Sequence, residues 1–139
     1  MKHMLATHEE ILDHAVTLSR EKFGSLTPNE YQQLALRNEP EKIKNEGMVA
    51  RLTQGVLGLC GESGEVADLF KKYMFQGHEL NREHMAKELG DVAWYLAVAA
   101  DAIGCTLEYI LELNLEKIGA RYPDGFDSER SKHRAEDDV

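Results

Sequence analysis

The chain is short of several things at once, and each shortage excludes a class. It carries only two cysteines, three prolines and one tryptophan in 139 residues. Cys60 and Cys105 fall in apolar helical pattern and form no metal-ligand spacing, so they are expected as buried, reduced thiols in a reducing compartment. Positive charge is scarce too: 16 Lys+Arg stand against 25 Asp+Glu, leaving a formal charge of −9. A field of that sign repels polyphosphate backbones, which argues against a nucleic-acid polymer as partner. Small phosphorylated ligands stay open, because a divalent cation can neutralise them. The longest apolar run, Val92 to Ala100, is nine residues, against the roughly 18 that a spanning helix needs. The opening MKHMLATHEE has no signal-peptide apolar core. The expectation is a cytoplasmic protein with no membrane partner. None of the six histidines stands in an HxxxH or ExxH unit, which counts against zinc and against a carboxylate-bridged iron bundle. No Ser-His-Asp or Cys-His arrangement stands out, and the glycines match neither a P-loop nor GxGxxG.

Strand signals are nearly absent, and helical periodicity fills the chain, which is long enough for one domain. Thr7 and Glu10 have capping-box spacing and open a helix over about 8–23. Its apolar stripe is Leu5, Leu12, Ala15, Val16 and Phe23, and Gly24 stops it. Thr27-Pro28-Asn29-Glu30 starts a second helix, to about Asn38, and residues 39–47 read as a charged connection. A long helix follows over 48–75, with the stripe Val49, Leu52, Val56, Leu59, Ser63, Val66, Phe70 and Tyr73. Gly55, Gly58, Gly61 and Gly64 recur inside it at i+3, each costing ~1 kcal/mol of helix propensity against alanine. Close approach of another backbone is the expected compensation, with a kink near Gly61 as the alternative. Asn81 caps a helix over about 82–103 that is apolar nearly all round after Asp91, as suits the centre of a bundle or a subunit interface. Thr106 caps the last helix, about 107–121, and the tail from Pro123 is polar. The fold class is an all-α bundle.

Carboxylates at i,i+3 share one helical face. There are five such pairs, Glu10/Asp13, Glu62/Glu65, Glu65/Asp68, Glu88/Asp91 and Asp124/Asp127, where chance alone gives about four at this acid content. Spacing therefore decides nothing, and placement decides more. Glu62, Glu88 and Asp91 flank apolar stripes, where a charge needs a partner or a metal. Two helices bringing such pairs to one seam would make an oxygen-only cluster suited to Mg²⁺ or Mn²⁺. The competing reading has these acids solvated or paired to Lys71, Lys72 and Lys87. Asn114 stands in an apolar position of the last helix, where burial would oblige it to find hydrogen bonds. It shares a ridge with Lys117 and Arg121, which reads either as a phosphate grip or as a basic flank at a helix C-terminus. His84, one turn before Glu88, reads as a surface histidine, with a supporting place behind that acid as the alternative, and Asp101 as locally paired or covered by another chain.

Three ordered blocks, GLCGESGEVADLFKK, KELGDVAWYLAVAAD and LELNLEKIGARYPDGF, resemble the MazG-like all-α nucleoside triphosphate pyrophosphohydrolases. The family's ExxE…ExxD signature is matched by Glu62, Glu65, Glu88 and Asp91, with 22 residues between the pairs. Its NxxKxxxRYP ending is matched by Asn114, Lys117, Arg121, Tyr122 and Pro123, and EYQQLALR resembles its amino-terminal helix. The resemblance spans about residues 27–126, leaving 1–26 as an amino-terminal helical extension and 127–139 as a polar tail. It implies a four-helix core assembled as a dimer or tetramer. The implied activity is Mg²⁺-dependent hydrolysis of nucleoside or deoxynucleoside triphosphates to monophosphate and pyrophosphate. By the same resemblance Glu62, Glu65, Glu88 and Asp91 hold the metal and serve catalysis, with one glutamate orienting or deprotonating water. Tyr95 and Asn114 meet the nucleotide, and Lys117 and Arg121 meet phosphate. The rival reading is a non-catalytic helical module that binds nucleotides or another protein.

Overall fold

The computed structural model describes residues 7–133, and among them the only regular structure is helical. Seven α-helices follow in order: α1 (His8–Phe23), α2 (Pro28–Ala35), α3 (Glu41–Asn45), α4 (Met48–Phe75), α5 (Arg82–Ala102), α6 (Leu107–Arg121) and α7 (Ser128–Lys132). Local chemistry sets most starts. The capping boxes of Thr7 with Glu10 and of Thr27 with Glu30 both form, and Asn81, Thr106 and Asp127 accept from the first turns of α5, α6 and α7. The bonds that Glu30 accepts from Thr27 lower its pKa. Residues 36–38 tighten into a 3-10 turn after α2. The charged connection expected over 39–47 contains α3, begun at Pro40, whose fixed φ suits the start of a helix. Leu5, assigned to the stripe of α1, lies outside the described residues.

α5 is the centre of the bundle, packing on α2, α4 and α6. Its second half carries most of the core: Ala97 and Val98 have no exposure, and Ala100 and Ala102 are buried. Small side chains there let α4 lie close along it, in the most extensive helix pairing of the fold. The α4 face that does so coincides only in part with the expected one. Gly55 abuts Ala99 and Gly58 abuts Tyr95, and the covered ridge runs on to Glu62. Of the aliphatic stripe, Leu52, Leu59 and Val66 are half-buried beside that ridge, whereas Val49, Val56, Phe70 and Tyr73 are exposed. The glycine expectation therefore holds for Gly55 and Gly58, whereas Gly61 and Gly64 face open space, and α4 runs unbroken to Phe75.

Polar clamps fasten the remaining elements. Buried Gln32 donates from Nε2 to the carbonyls of Ala97 and Cys105 and accepts the Leu107 amide, tying α2 to the α5–α6 turn. Asn29 accepts the Glu108 amide and donates to its carboxylate. The Trp94 indole donates to the Ala35 carbonyl at 3.0 Å. Arg51 makes a two-bond fork to Glu39, whose side chain is wholly buried, and reaches Asp101 at 2.7 Å. Asp101 is thus locally paired. The cysteines correct their expectation: Cys60 is exposed and Cys105 half-buried, in the turn before α6, and both are free thiols. Neither belongs to the core.

Candidate metal and nucleotide site

Beyond Gly58 the α4–α5 seam stops being apolar. One turn further on α4 stands Glu62, then Glu65. Opposite them α5 presents Glu88. One carboxylate oxygen from each of these three lies within 4.8 Å of the others. The antiparallel run of the two helices explains the meeting: Gly55 against Ala99 and Gly58 against Tyr95 place residue 62 level with the 88–91 turn. Desolvation raises the pKa of Glu62, and the charges of Glu65, Asp91 and Glu88 raise it further. Asp91 is close enough to act electrostatically on Glu62 and on Tyr31, yet its carboxylate is exposed and stands apart from the trio. The structure therefore draws together three of the four acids and leaves the fourth at the edge.

The proposed alternative partners pair with other acids. Lys71 and Lys72 both pair with Asp68, holding its carboxyl down at about 2, and Lys87 pairs with Glu83. The contact that does reach the cluster is His84, whose Nε2 lies 2.9 Å from Glu88. A half-exposed histidine one turn before the acid is thus its direct neighbour, a role that spacing on α5 allowed and surface placement concealed. Together Glu65, Glu88, His84, Asp68 and Lys72 line a cleft of about 310 Å³ between the two helices.

On the other side of the seam Tyr95 is half-buried, its ring laid on Gly58 and edge-on to Trp94 at 4.8 Å. Tyr31 of α2 is half-buried within electrostatic reach of Asp91. Burial and the nearby Asp91 carboxylate raise its phenol pKa. One turn before Gly58, Gln54 keeps a side-chain carbonyl buried without a hydrogen-bond partner. The sequence reading missed Tyr31 and Gln54, since neither stands in a motif, and only packing of α2 and α4 on α5 assigns them a place.

The α6 residues are less concentrated. Asn114 is exposed, correcting the expectation that its apolar register would bury it, because α6 inserts only its first residue, Leu107, into the core. Asn114 and Lys117 line a separate shallow cleft with Ile110 and Leu113. Arg121 is half-buried, its guanidinium 5.9 Å over the Tyr122 ring. Asn114 and Lys117 thus line a different cleft from the one that Glu65 and Glu88 line.

The donor set itself argues for a hard cation. Three converging carboxylates, with the nearby Lys72 engaged by Asp68, repel one another, and an oxygen-rich cluster of that kind matches the ligand preference of Mg²⁺ or Mn²⁺. Comparison with known proteins identifies the family. Residues 52–126 match the family model described as the MazG nucleotide pyrophosphohydrolase domain. The chain is 35% identical over 74 residues to the Gene 37 protein of Mycobacterium phage L5. That stretch is 50% of this chain and 65% of the phage protein, so the chain spans under two thirds of that relative's length. No solved structure matches the chain. With more than half of its residues, the α4–α5 acid seam included, inside one family model, the chain belongs to the MazG nucleotide pyrophosphohydrolase family.

Proposed function

We propose that the protein hydrolyses nucleoside or deoxynucleoside triphosphates to the monophosphate and pyrophosphate, with Mg²⁺ as its cofactor and Mn²⁺ as a substitute. The observation that carries this reading is the convergence of Glu62, Glu65 and Glu88 at the α4–α5 seam of a MazG-family chain. Glu62, Glu65 and Glu88 would hold the ion directly, and Asp91 would complete the set by turning inward. Such an ion supplies charge neutralisation at the phosphate oxygens and lowers the pKa of water. The chain's own groups do the rest. A glutamate of the cluster orients the attacking water. Tyr95 stacks or bounds the nucleoside, and Asn114, Lys117 and Arg121 meet the nucleotide and its phosphates. The exposure of Asn114 and Lys117, and the separate cleft that they line, favour a site completed on self-association as a dimer or tetramer. Exposed Val49, Leu57, Phe70 and Phe75 on α4 provide apolar surface for it. Among the described residues no helix is long and apolar enough to cross a membrane, in keeping with a cytoplasmic enzyme of nucleotide pools.

A panel of canonical and damaged nucleoside triphosphates, assayed for pyrophosphate with Mg²⁺ or Mn²⁺, tests the reading. Release from at least one substrate, abolished by Glu65→Gln with helical content unchanged, is expected. Divalent-ion binding by calorimetry without turnover of any substrate would instead mark a non-catalytic nucleotide-binding module.

A further inference from the structure

Among the described residues, the side-chain carbonyl oxygen of Gln54 is buried and accepts no hydrogen bond. An unmet buried acceptor destabilises the chain that keeps it, so it calls for a reason beyond the fold. Arg51, three residues back on α4, does not answer it, because its hydrogen bonds go to Glu39 and Asp101.

The position of this oxygen supplies a reason. Gln54, Gly58 and Glu62 follow one another at single turns of α4 and so form one row along the α5 seam. Gly58 carries the Tyr95 ring, and Glu62 belongs to the acid cluster. The eight-residue step from Gln54 to Glu62 covers roughly 12 Å of helix. A nucleotide reaches about as far from the outer edge of its base to its first phosphate and a metal beside it, which sets the Tyr95 ring level with the nucleoside. The chemistry of the two ends differs in the matching sense. Carboxylates with a cation suit phosphate, whereas an amide carbonyl oxygen only accepts, so it turns away phosphate oxygens and suits an N–H.

We infer that Gln54 is a base-reading residue, its carbonyl accepting a hydrogen bond from a ring-edge amine or imide N–H of the nucleobase. The inference rests on the proposed activity for the class of ligand and adds to it the group that reads the base.

Calorimetric binding with Mg²⁺ tests it, using probes that cannot be cleaved between the α and β phosphates. These are the α,β-methylene triphosphates of the four common nucleosides, in ribo and deoxy forms. Beside them stand the same derivatives of purine riboside and pyrimidin-2-one riboside, whose ring edges have no N–H, and inorganic tripolyphosphate, which has no base. Wild type is expected to bind at least one common nucleotide tenfold or more tighter than its counterpart lacking the N–H. In Gln54→Leu that ratio should fall to about one, with tripolyphosphate affinity unchanged and the ligand-free chain melting no lower than wild type. Equal wild-type affinity for probes with and without the N–H would overturn the inference, and this comparison does not depend on the variant folding. Discrimination kept by Gln54→Leu, or a marked loss of its ligand-free stability, would overturn it as well. If wild type binds tripolyphosphate as tightly as every nucleotide, base reading fails while the metal site stands; if it binds no probe at all, the proposed activity fails with it.

Discussion

Tyr95 lies where Gly58 has no side chain: a β-carbon at position 58 would sit 2.1 Å from the ring's Cε1. The contact sets how closely α4 and α5 approach just before their acids meet. Gly58→Ala gains up to ~1 kcal/mol of helix propensity but must displace a half-buried ring, an overpacking cost of ~1–3 kcal/mol. Loss of stability is expected, together with weaker metal binding as the seam widens. Gly61→Ala meets nothing within 4 Å and is expected to gain ~0.5–1 kcal/mol. Thermal unfolding of the two variants should move in opposite directions, and equal shifts would contradict the assigned seam.

Arg51 is the hub that fixes the chain between α2 and α4 to the end of α5. Its fork to Glu39 and its bond to Asp101 raise its pKa further, so it stays charged at any working pH. Arg51→Met would leave the wholly buried Glu39 carboxylate without its cation. Breaking such a pair from one side costs ~3–5 kcal/mol. Asp101→Asn should cost much less, because Asp101 is 41% exposed and Arg51 keeps its fork. Denaturant melts of the two variants distinguish these losses.

What could be read from sequence follows the range of the interaction that decides it. Helix starts were legible because Thr7, Thr27, Asn81 and Thr106 act on amides within one turn. The acid pairs were legible by their blocks and by their apolar flanks, though spacing alone was not informative. The packing face of α4 was legible only in part: Leu52, Leu59 and Val66 are covered as the periodicity implies, but the closest approach follows the smallest residues, Gly55 and Gly58. Asn114 misled for a related reason: an apolar register implies burial only if that stretch of the helix is covered, and α6 is covered at Leu107 alone. His84 bears out both of its readings, exposed at the surface and set against Glu88, because nothing local distinguishes such an i,i+4 pair from a solvated one.

Gln32 answers three backbone groups at once, the carbonyls of Ala97 and Cys105 and the amide of Leu107. Gln32→Leu keeps the volume but strands those groups at a buried junction. Leaving a buried donor or acceptor unmade costs ~1–3 kcal/mol each, so a loss of at least a few kcal/mol is expected. Because α6 is anchored only at its start, hydrogen exchange should rise across residues 107–121 more than across α4. Uniform exchange in both helices would show that α6 is held by other contacts.

Glu62 should trade stability against metal binding. Its pKa is raised from 4.5, so folding favours its protonated form. That contribution is fully present below the unfolded value of 4.5 and is lost as pH rises through the higher folded value. At pH 7 the metal-free chain therefore holds a charged Glu62 against Glu65, Asp91 and Glu88. Glu62→Gln removes this repulsion and is expected to raise the metal-free melting temperature at pH 7, with little change near pH 4. The same variant loses a ligand, so the Mg²⁺-induced stabilisation of the wild type, ~2.7 kcal/mol at a hundredfold excess over Kd, should largely vanish. Melting curves at the two pH values with and without Mg²⁺ provide the test. A Glu62→Gln chain that is less stable without metal and equally stabilised by Mg²⁺ would place the ion elsewhere.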